Sequence, residues 1–242
     1  MIRHIFSKIK IYLDSLWRML WSKKRYKFNI HNELISLNYQ TVINVVESGV
    51  FRKIISPINI EIPNDKKILV LAPHPDDEIL GAAGLIINGN NNNCHVTVVY
   101  LTSGSNIDSD TREKEARSVC DKANIDSIYF LHIEDGGIGN IDINTTDLQK
   151  IIDFCDPDIV SLPFIFDEHD DHVYTNKLIS QVFFKNSQKV DFWAYQIYSS
   201  MPANVIIDIT SIIEQKFDLM SMYKSQLNDF DFINWNKGLN AW

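Results

Sequence analysis

The chain has 242 residues, 45% of them apolar and 11% aromatic, which supports a packed core and excludes a disordered polymer. A formal net charge of -8 at pH 7 argues against nucleic-acid binding as the main task, because phosphate contacts need a basic face. The three cysteines show no CxxC spacing and leave one unpaired in any disulfide scheme; they read as small core residues in a reducing compartment.

The charge is uneven. Residues 1–27 hold eight Lys/Arg against one Asp, about +7, so the remaining residues carry about -15. Within that stretch Ile2, Ile5, Phe6, Ile9, Leu13, Leu16, Trp17 and Leu20 recur at helical spacing, and Lys23-Lys24-Arg25 follow. Two readings stand for this amphipathic helix: it packs its stripe on protein, or it lies on anionic lipid with Trp17 and Trp21 at headgroup depth. No clean signal-peptide core is visible, and no apolar run reaches the roughly 18 residues of a membrane span. The expected location is cytoplasmic, peripheral on the inner face of the cell membrane under the second reading. Oligomeric state is not legible.

Residues 28–64 give weak signals, and Ile55 to Pro63 reads as an extended connector with two prolines. The expected division is an N-terminal arm over 1–60 and a main domain over 61–242. Strand-like runs follow at 67–72 (KILVLA), 95–101 (HVTVVYL), 127–133 (SIYFLHI), 158–163 (DIVSLP), 192–197 (FWAYQI) and 204–209 (NVIIDI). Helical patterns lie between most of them, at 77–88, 111–123, 145–154, 172–184 and 210–227. Near-continuous apolar strands separated by helices imply an α/β domain: a Rossmann-like, mostly parallel sheet with helices on both faces. The stretch NGNNNN (88–93) reads as a surface loop without chemistry.

In such a sheet, ligands collect beyond the carboxyl ends of strands, at the switch point in strand order. APHPDDE (72–78) ends the first strand, and FDEHDDHVYTN (166–176) follows DIVSLP. If these strands neighbour the switch point, the two clusters share one cleft. His74 and Asp77 lie three apart across a turn, and His172 opens the next helix. Two histidines and one carboxylate are a catalytic zinc set with a position left open, and Fe²⁺ and Mn²⁺ meet the same donors. Asp76 is then free to take a proton from water as general base. His169 would donate to a developing oxyanion, and Asp171 would fix the tautomer of one of the imidazoles. Taken singly, each cluster also has a plainer reading. The first is a proline turn whose Asp caps a helix, and the second is an acidic surface loop.

VLAPHPDDEILGAAG together with HDDH closely resembles the PIG-L/LmbE-like zinc-dependent N-deacetylases, whose motifs are [AP]HPDDE and HxDH. The likeness covers about residues 66–228 and includes LTSG (101–104), TREKEARSVCDKANI (111–125), DGGI (135–138) and VIIDITSIIEQKFDLMSMYKSQL (205–227). It implies His74, Asp77 and His172 as metal ligands, Asp76 as base, His169 as oxyanion stabiliser or general acid, and Asp171 as tuner of a histidine. Arg112 matches the family's substrate-contacting arginine, though it also reads as a surface residue of a mixed-charge helix. Tyr223 and Gln226 match the family's tail, or pack the last helix. Asp170 stands where the family usually has Pro, and the chain stops soon after YKSQ.

The expected activity is removal of acetyl from the 2-acetamido group of an N-acetylglucosamine-type conjugate in glycan or glycolipid biosynthesis. The alternatives are a hydrolase of another N-acyl substrate and a membrane-associated, non-catalytic subunit of glycan assembly.

Overall fold

The computed structural model describes residues 57–104, 108–139, 145–183, 190–199, 201, 203–228 and 230–241. The amphipathic helix expected over 1–27 lies outside the described residues. In chain order the elements are β1 (Ile58–Asn59), β2 (Lys67–Ala72), α1 (Asp77–Asn91), β3 (His95–Thr102), α2 (Ser109–Lys122), β4 (Ser127–Ile133) and α3 (Thr146–Cys155). β5 (Ile159–Pro163), α4 (Asp170–Phe183), β6 (Asp191–Tyr195), β7 (Val205–Ile206), α5 (Ile213–Met220), α6 (Lys224–Leu227) and α7 (Phe232–Asn240) complete it.

Five strands form a parallel sheet in the order β4-β3-β2-β5-β6. Alternation along each strand sorts the core into two layers. Ile68, Val70, Val96, Val98 and Tyr100 face α1, α2 and α5, whereas Leu69, Leu71, Val99, Leu101, Val160 and Leu162 face α3 and α4. Both faces are covered, which is why these strands read as unbroken apolar runs. The order runs outward from β2 to β4 in one direction and from β5 to β6 in the other. The switch point therefore falls between β2 and β5, which pair from Ile68↔Ile159 onward. Helix α1 crosses this centre closely: a Cβ on Gly81 would lie 2.1 Å from the Tyr195 ring, whose hydroxyl donates to the Leu71 carbonyl at 2.7 Å. Among the described residues no helix is long and apolar enough to cross a membrane.

Several expected boundaries move. Residues 88–91 belong to α1, not to a loop, because the asparagine amides have tertiary partners: Asn90 Nδ2 donates to the Ala123 carbonyl and Asn92 Nδ2 to the Ile62 carbonyl, each at 2.6 Å. The strand expected over 204–209 shrinks to β7, which pairs with β1 in a separate two-stranded ladder. Its extension ends where Asp208 Oδ1 accepts from the Thr210 backbone at 2.8 Å, an Asx turn. The helix expected over 210–227 breaks at Ser221–Tyr223 into α5 and α6. Tyr223 is drawn into the core there, 2% exposed, with its hydroxyl on Glu78. Helix α7 was not foreseen.

Candidate active site

Both motif loops leave strands that flank the switch point. The first is pinned as it leaves β2: the backbone N–H and the hydroxyl of Thr102 both donate to the Pro73 carbonyl at 2.9 Å. Asp76 then takes a φ of 119°, a left-handed conformation that costs a non-glycine residue about 1–3 kcal/mol. Its neighbours hold it there. The Asp76 N–H donates to Glu78 Oε2 at 3.1 Å, the Tyr223 hydroxyl donates to Glu78 Oε1, and Arg112 Nη2 donates to the Pro75 carbonyl at 2.9 Å. Burial pushes the Glu78 carboxyl up to about 7, against the hydrogen bonds from Tyr223 and the backbone. Glu78 thus supports the turn and does not face the cleft.

His74, Asp77 and His172 meet at one point. Asp77 Oδ2 accepts from the His74 backbone N–H at 2.9 Å and lies 3.2 Å from His74 Nδ1 and 3.3 Å from His172 Nε2. The far nitrogen of each ring is held by carboxylates. His74 Nε2 lies 3.2 Å from both Asp171 Oδ2 and Asp135 Oδ1, and His172 Nδ1 lies 3.1 Å from Asp167 Oδ1. Carboxylates at those nitrogens select the tautomers protonated there, which leaves lone pairs on His74 Nδ1 and His172 Nε2.

The donors fit a divalent cation. Zinc–ligand distances of about 2.0–2.1 Å put tetrahedral donor atoms roughly 3.3 Å apart, and the separations around Asp77 Oδ2 are 3.2 and 3.3 Å. His172 Nε2 is buried and has no hydrogen-bond partner, as expected of an atom placed for a metal. Donor atoms of His74, His169 and His172 also lie within 4.8 Å of one another, as do those of His74, Asp135 and Asp171. A buried His/Asp cluster able to hold a metal is therefore present.

Without an ion the same carboxylates favour the charged imidazoles, and a metal would take the place of the proton on His74 Nδ1 and His172 Nε2. Burial opposes charge on His74, yet Asp135, Asp171 and Asp77 together raise its pKa well above the usual imidazole range. The same opposition holds at His172, where burial yields to Asp77 and Asp167 and the pKa rises to about 9. Burial also works against ionised Asp77, but His172 and His74 hold its carboxyl far below the ordinary range. Asp76 goes the other way: burial and the Asp77 charge raise its carboxyl well above that range, with Arg112 opposing. Two adjacent carboxylates are thus driven apart, one firmly ionised and the other kept basic.

His169 is half-buried, its ring 4.7 Å from that of His74 and 5.0 Å from that of His172. Its Nδ1 accepts from the Asp171 N–H at 3.2 Å, which assigns the proton to Nε2. Burial, then the neighbouring His74 and His172 charges, lower its pKa and keep the ring neutral. Asp171 is fully buried; Oδ2 also accepts from the Gly136 N–H at 2.8 Å, and Oδ1 has no partner. Arg112 is buried, not a surface residue. Its Nη2 lies 3.6 Å from Asp76 Oδ1, and Gly104, at φ 77°, leaves the space its side chain fills. Asp170 is exposed to solvent.

Sequence reasoning missed three groups. Asp135 lies in the DGGI stretch and faces His74. Asp167 accepts at Oδ1 from the His169 N–H at 3.2 Å and at Oδ2 from the Tyr198 N–H at 3.1 Å, which joins the β5–α4 loop to the segment after β6. Tyr198 stacks on His172 with centroids 5.5 Å apart and 16° between planes.

A sequence model of the family described as PIG-L, GlcNAc-PI de-N-acetylase, matches residues 69–183, a span that contains both motif loops. Among solved structures, the conserved protein TT1542 from Thermus thermophilus is 22% identical with a TM-score of 0.64, over 72% of this chain and 86% of that one. The N,N'-diacetylchitobiose deacetylase from Pyrococcus horikoshii is 22% identical with a TM-score of 0.56, over 81% and 82%. GalB, the 4-carboxy-2-hydroxymuconate hydratase from Pseudomonas putida, is 18% identical with a TM-score of 0.51, over 66% and 83%. Likeness at these identities is likeness of fold. A fold that carries both a deacetylase and a hydratase does not choose the reaction; the side chains at the sheet edge must.

Proposed function

We propose, since this chain belongs to the PIG-L/LmbE-like deacetylase superfamily, that it is a metal-dependent N-deacetylase of N-acetylglucosamine-type conjugates. The observation that carries this reading is the meeting of His74 Nδ1 and His172 Nε2 at Asp77 Oδ2, beside Asp76 with its strained backbone. These three residues would hold the ion, with zinc the best match to two imidazoles and a carboxylate. When bound, a divalent cation lowers the pKa of water and polarises an acyl carbonyl.

The protein's own groups do the rest. Asp76 accepts a proton from the attacking water as the water oxygen bonds to the acyl carbon. His169 Nε2–H donates to the carbonyl oxygen as negative charge gathers there, and its neutral state suits a hydrogen-bond donor that keeps its proton. The C–N bond then breaks, and the proton held by Asp76 passes to the leaving nitrogen. Acetate and a free amine result. Arg112 holds the turn through Pro75 and moderates the charge of Asp76.

The purified chain should release acetate from GlcNAc conjugates, fall to background with a chelator, and recover on addition of zinc or iron. No release from a broad conjugate panel after reconstitution would overturn the reading.

Asp167 supplies a finer test. In Asp167→Asn the amide can offer an N–H to His172 Nδ1, which reverses the tautomer and puts a proton on Nε2. Metal affinity should fall about 10–100-fold, the range for loss of an outer carboxylate partner, with circular dichroism unchanged. Competition against a chromogenic chelator measures this.

A further inference from the structure

We propose that the recess beside Asp76 receives the alkyl part of the acyl group and restricts turnover to short acyl chains. The inference rests on the N-deacetylase reading. Leu80, Met220, Tyr223, Gln226, Leu227 and Phe232 wall the recess together with Asp76. Its free volume is about 10 Å³, room for one water-sized group, so neither a sugar ring nor a long chain enters without displacing a wall. Apart from Asp76, Gln226 and the Tyr223 hydroxyl, which is held by Glu78, the lining is apolar, and an acyl carboxylate there would face the Asp76 charge. A methyl group suits both limits.

The position suits the chemistry. A base within about 3 Å of the water, and reacting atoms about 3–3.5 Å apart, bring the acyl carbon within roughly 7 Å of the Asp76 carboxylate. Its alkyl substituent is one bond further on. The lining is also tied in place from behind. Lys216 Nζ and Asn236 Nδ2 both donate to the Leu80 carbonyl, at 3.0 and 3.1 Å, and so fasten α5 and α7 to α1. Glu115 on α2 accepts from both the N–H and the hydroxyl of Ser225 on α6, at 3.0 and 2.6 Å. Tyr223, another lining residue, is fixed through its hydroxyl on Glu78. Such a recess does not widen freely, so chain length becomes a matter of side-chain size.

The test is kcat/KM for the metal-loaded full chain on one glucosamine conjugate carrying acetyl, propionyl or butyryl. In the wild type it should fall about 10–200-fold for a methylene too many. Leu227→Ala and Phe232→Ala, both half-buried positions, should raise the butyryl-to-acetyl ratio by about tenfold or more. The ratio is taken within one preparation, so partial unfolding does not move it. Acetyl turnover with an unmoved ratio in both variants, or equal wild-type turnover of acetyl and butyryl, overturns the recess assignment alone. No turnover of any N-acyl conjugate overturns the deacetylase reading, and this inference with it.

Discussion

His172→Ala should leave the protein without its metal and without activity. The residue is fully buried and offers Nε2, an atom without a hydrogen-bond partner, 3.3 Å from Asp77 Oδ2, and alanine puts no donor atom there. Loss of affinity should exceed the roughly 10–100-fold expected for an outer partner such as Asp167. Stability should change as well. In the metal-free protein His172 is the cation between Asp77 and Asp167, and its removal leaves two buried carboxylates facing each other. Breaking a buried pair in this way costs about 3–5 kcal/mol. The pH dependence has a definite sign. A histidine raised to about 9 stabilises fully below its unfolded value near 6.5, and that contribution fades as pH rises through about 9. Metal-free wild type should therefore lose its advantage over the variant across that window in denaturant titrations. Metal analysis that finds one equivalent of tightly held ion in His172→Ala would contradict the ligand set.

Much of the fold was legible because its physics is local. Strands covered on both faces must be apolar throughout, so KILVLA and HVTVVYL are recognisable without knowing their partners. The site was legible in its outline for a related reason: the carboxyl ends of β2 and β5 are predictable places, and APHPDDE and FDEHDDH stand there. What escaped depends on pairings between distant segments. Asp167 lies five residues before His172, a spacing without meaning in a loop, and its contact exists only because α4 turns back over that loop. Asp135 reaches His74 from the loop after β4, two strands away in the sheet. β1 and β7 are two residues each and carry no readable period. Helix α7 did leave a trace. Asp231 caps it, with Oδ1 accepting from the Asn234 N–H at 3.0 Å, and an Asp immediately before a short apolar segment is a helix-start signal. Its importance was hidden, since only the fold brings Phe232 to the recess beside Asp76.

Asp76 tests whether the centre is built for catalysis or only for binding. Its φ of 119° is a conformation that favours glycine, and the chain nevertheless keeps a carboxylate there. A site meant only to hold a cation has no use for that strain, because in the proposed ligand set Asp77 would already supply the carboxylate. Asp76→Asn and Asp76→Gly should therefore both retain metal and both lose about 10²–10⁴ in kcat, the usual contribution of a positioned base. They should differ in stability. Glycine relieves the backbone strain, about 1–3 kcal/mol, so Asp76→Gly should melt no lower than the wild type despite losing a side chain. Both variants also remove a like charge beside Asp77, which raises no barrier to metal binding. Loss of metal from either variant would assign Asp76 to the ligand set. Retention of turnover in Asp76→Gly would move the base elsewhere, and would leave the strain at this residue without a catalytic reason.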